Sequence, residues 1–174
     1  MADTNNSKYH IENAGLVLCH PFITTLFKRL EYLNSDNQFK DEDSKTRAIL
    51  LLHYIATGKL SYVEEQSLDL PKLICGLQMD STIKQNVSLS DKERNEAQEL
   101  IKAIISHWQS LKNTSPEGLR ETFLNRDGLL EIDDETYKIM VESRAMDILL
   151  STLPWSISMI KLPWLKRLIM VSWN

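Results

Sequence analysis

The stretch SLSDKERNEAQELIKAIISHWQSLK commits this chain to helical packing. Ala97, Leu100, Ile101, Ile104, Ile105, Trp108 and Leu111 recur at intervals of three and four, the period that puts side chains on one face of an α-helix. Ser90 and Glu93 stand ahead of them at the spacing of a capping box. A stripe of this length has to be buried against other elements, and Trp108 is expected to anchor its core face. The rest of the chain can supply that core. Hydrophobic residues make up 43% and charged residues 25% of 174 positions, a globular balance, long enough for one core and too short to need two.

Other elements follow from the same reasoning. Residues 1–10 are polar and read as a loose leader, with residues 11–174 as a single globular domain. Pro21 suits the first turn of a helix, whose apolar face, Phe22, Ile23, Leu26, Phe27, Leu30 and Leu33, runs to about Leu33. SKTRAILLLHYIATG, capped by Asp43 or Ser44 and stopped at Gly58, is apolar nearly all round and reads as the central helix. LPKLICG is a short helix between Pro71 and Gly76, and TSPEGLRETFLNRDG has Ser115 as its cap with Pro116 at the first helical position. Beyond residue 126 the period changes to two. Leu130 and Ile132, then Tyr137, Ile139 and Val141, alternate with polar residues across residues 128–142, as in a hairpin. A short helix over 144–152 leads to two further strands within 154–173, where Trp155, Ile157 and Met159 and then Ile169, Val171 and Trp173 alternate. The expected class is α+β: a mainly helical layer over residues 14–126, then a small antiparallel sheet formed by the C-terminal third.

The tail LPWSISMIKLPWLKRLIMVSWN holds three of the four tryptophans, and after Asp147 its only charges are Lys161, Lys166 and Arg167. As strands, it would bury Trp155 and Trp173 and leave Trp164, next to Pro163 at the connection, accessible. Trp164, Lys166 and Arg167, with Lys161 and Pro163, are therefore the expected contact surface for a partner. The formal charge of −4 supplies no general attraction to nucleic acid, and Pro154, Lys161, Pro163, Lys166 and Arg167 interrupt the only run approaching membrane-span length.

The residues show no catalytic constellation. His10, His20, His53 and His107 have no metal-ligand spacing, Cys19 and Cys75 lie far apart in apolar runs, and neither a phosphate loop nor a nucleophile elbow is present. No cofactor is expected. Glu142, Arg144 and Asp147, with Arg120 and Arg126, are polar residues set among apolar ones and read as an ion network between helix and sheet. Gly118, in the first turn after Ser115 and Pro116, either admits a close backbone approach or is incidental.

Several strings, in order, resemble the contractile injection system tape measure family: NAGLVLCHPFITTLFKRL, RAILLLHYIATG, LDLPKLICGL, HWQSLKNTSPEGLRETFLNRDGLL and LPWSISMIKLPWL. Arg120 and Phe123 fall within the most unusual of them and are expected to be structural. The chain departs from the family at Cys19, where an aliphatic residue is usual, and at Tyr137, where a tryptophan is. It is also shorter than family members, resembling their C-terminal part, as an excised domain or a short paralogue would.

The resemblance implies a non-enzymatic assembly role, the anchoring end of a protein that sets tube length. Its partners would belong to the tail tube, the hub or spike, or the baseplate, and homo-oligomerisation is left open. The protein would be made and assembled in the cytoplasm and then carried in a released particle. The alternatives are a stand-alone adaptor or chaperone for tail components, and a peripheral membrane binder using Trp155, Trp164 and Trp173 beside the tail cations.

Overall fold

The computed structural model of the chain describes residues 7–61 and 63–173. Strand β1 (Ser7–Ile11) is followed by a 3-10 turn (Ala14–Cys19) that runs into helix α1 (His20–Arg29). Helix α1 stops short of Leu33 because Glu31 turns left-handed at φ 59°; Leu33 instead bridges Phe39 across the following loop. Helix α2 (Glu42–Thr57) is capped by Asp41, just ahead of the expected Asp43 or Ser44, through a 2.7 Å bond from Ser44 N–H, and ends at Gly58. A 3-10 turn (Glu65–Leu68) precedes α3 (Asp69–Cys75), which ends at Gly76.

Helix α4 (Asp91–His107) carries both halves of the capping box: Glu93 N–H donates to Ser90 Oγ at 3.1 Å and Ser90 N–H to Glu93 Oε1 at 2.9 Å. Glu93 also accepts from Arg47 Nη1 at 2.8 Å and from the Tyr32 hydroxyl. The start of α4 is thereby tied to α2 and to the turn after α1. Trp108 is fully buried from the C-cap position. Helix α5 (Pro116–Leu119) passes directly into a π-helical turn (Arg120–Leu124), with Ser115 Oγ accepting from Gly118 N–H at 3.0 Å.

The hairpin lies where the alternation puts it, as β2 (Gly128–Ile132) and β3 (Thr136–Val141). A 3-10 segment (Ala145–Thr152), β4 (Met159–Ile160) and β5 (Leu168–Ser172) follow. The fold is α+β, but the sheet differs from expectation in three ways. It has five strands in the order β1-β2-β3-β5-β4 and is mixed, since β5 runs parallel to β3. Its first strand comes from the stretch read as a loose leader: Ser7–Ile11 pairs with Ile132–Gly128 and turns Tyr9 and Ile11 toward the core, while residues 1–6 lie outside the described residues. The third difference is β4, which shrinks to two residues. Pro154 and Pro163 flank it, and a short strand beside prolines belongs on a sheet edge, leaving the place next to β3 to β5 and its inward Ile169 and Val171.

The helices cover one face of this sheet, and Leu130, Ile139, Ile160 and Ile169 join their apolar faces in one core cluster. One contact between elements is backbone against backbone. A Cβ added to Gly15 would lie 1.7 Å from the Phe123 carbonyl oxygen and 2.7 Å from Leu124 Cα, so the first 3-10 turn and the π turn touch with no room for a side chain. At Gly118 an added Cβ would meet only the Thr114 methyl, at 2.9 Å, and Ser115 Oγ, at 3.3 Å. Among the described residues, no backbone of another segment approaches there.

Gly15→Ala is therefore expected to lower stability by about 3 kcal/mol or more, since two main chains must separate. Gly118→Ala should stay within about 1 kcal/mol of wild type, because a rotatable side chain can yield. Urea midpoints for the two variants measure both. In the same titration Trp108→Ala should cost about 3–5 kcal/mol.

Candidate functional site

At the end of the sheet where β1 finishes and β5 leaves, Arg126 is buried to 1% exposure and all five of its N–H donors are used. Nε and Nη2 donate to the Thr122 carbonyl at 2.9 and 2.7 Å. Nη1 donates to the Glu142 carbonyl at 2.8 Å, and Nη1 and Nη2 grip the Asp147 carboxylate at 3.1 and 2.6 Å. The guanidinium plane lies near the Phe123 and Trp173 rings, 5.8 and 5.5 Å from their centroids. Asp147 accepts in addition from Arg144 N–H at 2.9 Å and Trp173 Nε1 at 3.1 Å.

Of the polar residues flagged in the sequence, Arg126 and Asp147 thus meet side chain to side chain. Glu142 and Arg144 contribute backbone atoms and pair with each other at the rim at 3.6 Å. Arg120 lies elsewhere, donating from Nε to the Ile55 carbonyl at 2.9 Å near the end of α2 and pairing with Glu117. Phe123 packs on Trp108 with ring centroids 4.8 Å apart.

Every tryptophan N–H finds an acceptor. Trp108 donates to Thr152 Oγ1 at 2.9 Å, Trp155 to the Leu18 carbonyl at 3.0 Å, Trp164 to the Ile74 carbonyl at 2.6 Å and Trp173 to Asp147. These bonds stitch the tail at three points, to the first 3-10 turn, to α3 and to the 3-10 segment over Ala145–Thr152. Trp173 is buried, whereas Trp155, edge-on to Phe22, and Trp164 are both half-buried. Trp164 is not the freely accessible side chain that its place in a connection suggests, because its ring packs 5.4 Å from both Phe27 and Phe39.

Around Trp164 the β4–β5 connection exposes Pro163, Lys161 and Lys166, while Arg167 is half-buried with its guanidinium 5.3 Å from the Tyr137 ring centroid. Trp164, Lys166 and Arg167, but not Lys161 or Pro163, border a cleft of about 630 Å³ at the end of the sheet opposite Arg126. Its lining comes from β1, from Leu73 and residues 76–80, from Ile132 of β2 and Tyr137 of β3, and from residues 164–167. Gly76, at φ 78°, lets Leu165 close over the end of α3, where an added Cβ would lie 3.3 Å from the Leu165 side chain. Sequence reasoning reached the basic connection but missed the cleft.

Cys19 and Cys75 are buried free thiols; burial pushes both up, Cys19 to about 12, which removes the thiolate that reactive cysteines need. His20 places a ring nitrogen 2.6 Å from the Ser156 carbonyl oxygen, and burial lowers its pKa. Among the described residues, no group of three or more His, Cys, Asp or Glu side chains could hold a metal ion, and no helix is long and apolar enough to cross a membrane.

Compared with known protein families, residues 2–173 match the contractile injection system tape measure proteins. The chain belongs to this family. Comparisons with curated proteins and with solved structures find no match.

Burial alone would raise the pKa of Asp147, but the bonds from Arg126, Arg144 N–H and Trp173 outweigh it and hold the carboxyl below its ordinary range. A depressed folded pKa contributes stability that is complete above the unfolded value of about 3.9 and is lost as pH falls below it. Asp147→Asn, which leaves Arg126 without its counter-charge, is expected to cost about 3–5 kcal/mol at neutral pH. The gap between variant and wild type should narrow below about pH 4, as read from urea midpoints across the acid range.

Proposed function

We propose that this chain is the globular anchoring module of a tape measure protein, fixing it to the tube-initiating, hub or baseplate end of the particle through the β4–β5 connection. The observation that carries this reading is the pairing of β1 with β2, which brings Ser7 beside Ile132 and folds the chain back on itself. A ruler has to be extended, and 174 residues of continuous helix would span about 260 Å. A packed body of this length has a radius of gyration near ~16 Å. Measuring tube length accordingly belongs to extended sequence, and holding one end of it suits a compact body such as this one. The role is structural, without a catalytic step, and its partners are proteins of the particle. Assembly takes place in the cytoplasm, and the module leaves with the released particle.

Peptides from residues 7–173 are expected in the mass spectrum of purified, intact particles, and the isolated chain should capture a hub, baseplate or tube-initiating protein in a pull-down. Lys166→Glu should weaken that capture with its melting temperature unchanged. Absence from finished particles would assign the chain to transient adaptors or chaperones instead.

A further inference from the structure

The chain contains seven arginines. Arg29, Arg47, Arg94, Arg120, Arg126 and Arg144 each pair with a carboxylate of the same chain. Arg167 does not. Among the described residues no carboxylate lies within ion-pair distance of it, nor of Lys161 or Lys166 beside it, and no acidic residue follows Asp147 in the sequence. The Arg167 guanidinium is instead held near the Tyr137 ring at the lip of the 630 Å³ cleft. A guanidinium steadied by a ring keeps its N–H edges available, and two of those donors match the two oxygens of one carboxylate. Half-burial makes such a bond count for more than it would in open water.

Tyr9, Ile132, Met79, Trp164 and Leu165 add an aromatic and aliphatic lining. Asp80, from the loop after α3, also belongs to the lining, so the cleft sets one carboxylate against the two cations Lys166 and Arg167 and its net positive charge favours an acidic group. The volume falls within the range of sites that enclose a short ligand segment. A two-fold contact with a second copy would set this same cationic surface against itself, which the like charges of Lys161, Lys166 and Arg167 oppose.

We propose that the cleft receives a segment of a different protein in which an Asp or Glu adjoins a large apolar side chain, the carboxylate on Arg167 and Lys166 and the apolar group on Tyr9, Ile132 and Leu165. The proposal rests on the reading of this surface as the anchoring contact and supplies its chemistry.

The test is to pan a random heptapeptide phage library on the full chain. The leading peptide is then synthesised and titrated by calorimetry against wild type, Arg167→Glu and Lys166→Glu, with melting temperatures as the control for folding. Lys166 is exposed, so its variant keeps the test alive if Arg167→Glu fails to fold. An enriched acidic-apolar motif is expected, with more than about tenfold weaker binding to either variant, the size of effect that losing a charge-assisted hydrogen bond gives. The same loss is expected when the peptide's acid becomes its amide.

Enrichment of basic or uncharged peptides, no enrichment, or equal binding by the variants overturns the proposal, and enrichment of a peptide matching this chain's own sequence assigns the cleft to self-association and overturns it too. Particle incorporation of Arg167→Glu separates this outcome from the anchoring reading. Acidic selection with normal incorporation keeps the cleft chemistry and removes its part in anchoring, whereas lost incorporation without acidic selection does the reverse.

Discussion

The buried guanidinium of Arg126 is the constraint on which the arrangement of the other parts depends. Taking a charge out of water is costly unless its opposite charge and every donor are matched, and here the matching groups come from four places. Thr122 belongs to the π turn, Glu142 follows β3, Asp147 lies in the 3-10 segment, and Trp173 closes β5. Withdrawing Thr122, Glu142 or Asp147 would strand a guanidinium donor. The network therefore selects one register for the tail as much as it stabilises it, and a hydrophobic patch of the same area would tolerate sliding that this set of bonds does not.

That requirement also explains the parallel pair in the sheet. Trp173 reaches Asp147 only if β5 runs in the same direction as β3, so that both strands deliver their last residues to the same end of the sheet. A two-residue β4 carries the chain back, and residues 161–167 turn it over the cleft. The sheet thus has a closed end, where Arg126 and Asp147 are paired and buried, and an open end, where Lys166 and Arg167 meet no carboxylate among the described residues.

What could be read from the sequence follows from how local each determinant is. Helix α4 was legible because its period and its capping box lie within one stretch, and Gly58 and Gly76 marked helix ends because a left-handed residue there favours glycine. Arg126 and Asp147 stood out as polar residues among apolar neighbours, but the same signal flagged Arg120, which serves the end of α2. SKYHI has no alternation strong enough to announce a strand; only its partner 120 residues later makes it one. Gly15 carries no pattern at all, although its missing Cβ is what allows two backbones to touch. The cleft was invisible because residues near positions 9, 76, 137 and 167 converge only in the fold, and the exposure of Trp164 depended on Phe27 and Phe39, more than 120 positions away.

The register of the sheet has a mechanical consequence. Strands β1, β3 and β5 all run in one direction, with Ser7 at the end of the sheet where β3 and β5 begin and Trp173 at the end where they finish. Tension applied between these two points runs along the strands and in opposite senses at the two sides of the sheet. It reaches β5 from β1 through the β1–β2, β2–β3 and β3–β5 ladders in turn, and loads the hydrogen bonds of each ladder together in shear. Peeling would break them one at a time at much lower force. A fold built this way yields slowly to pulling along the chain, because no ladder can open before its hydrogen bonds have shared the load.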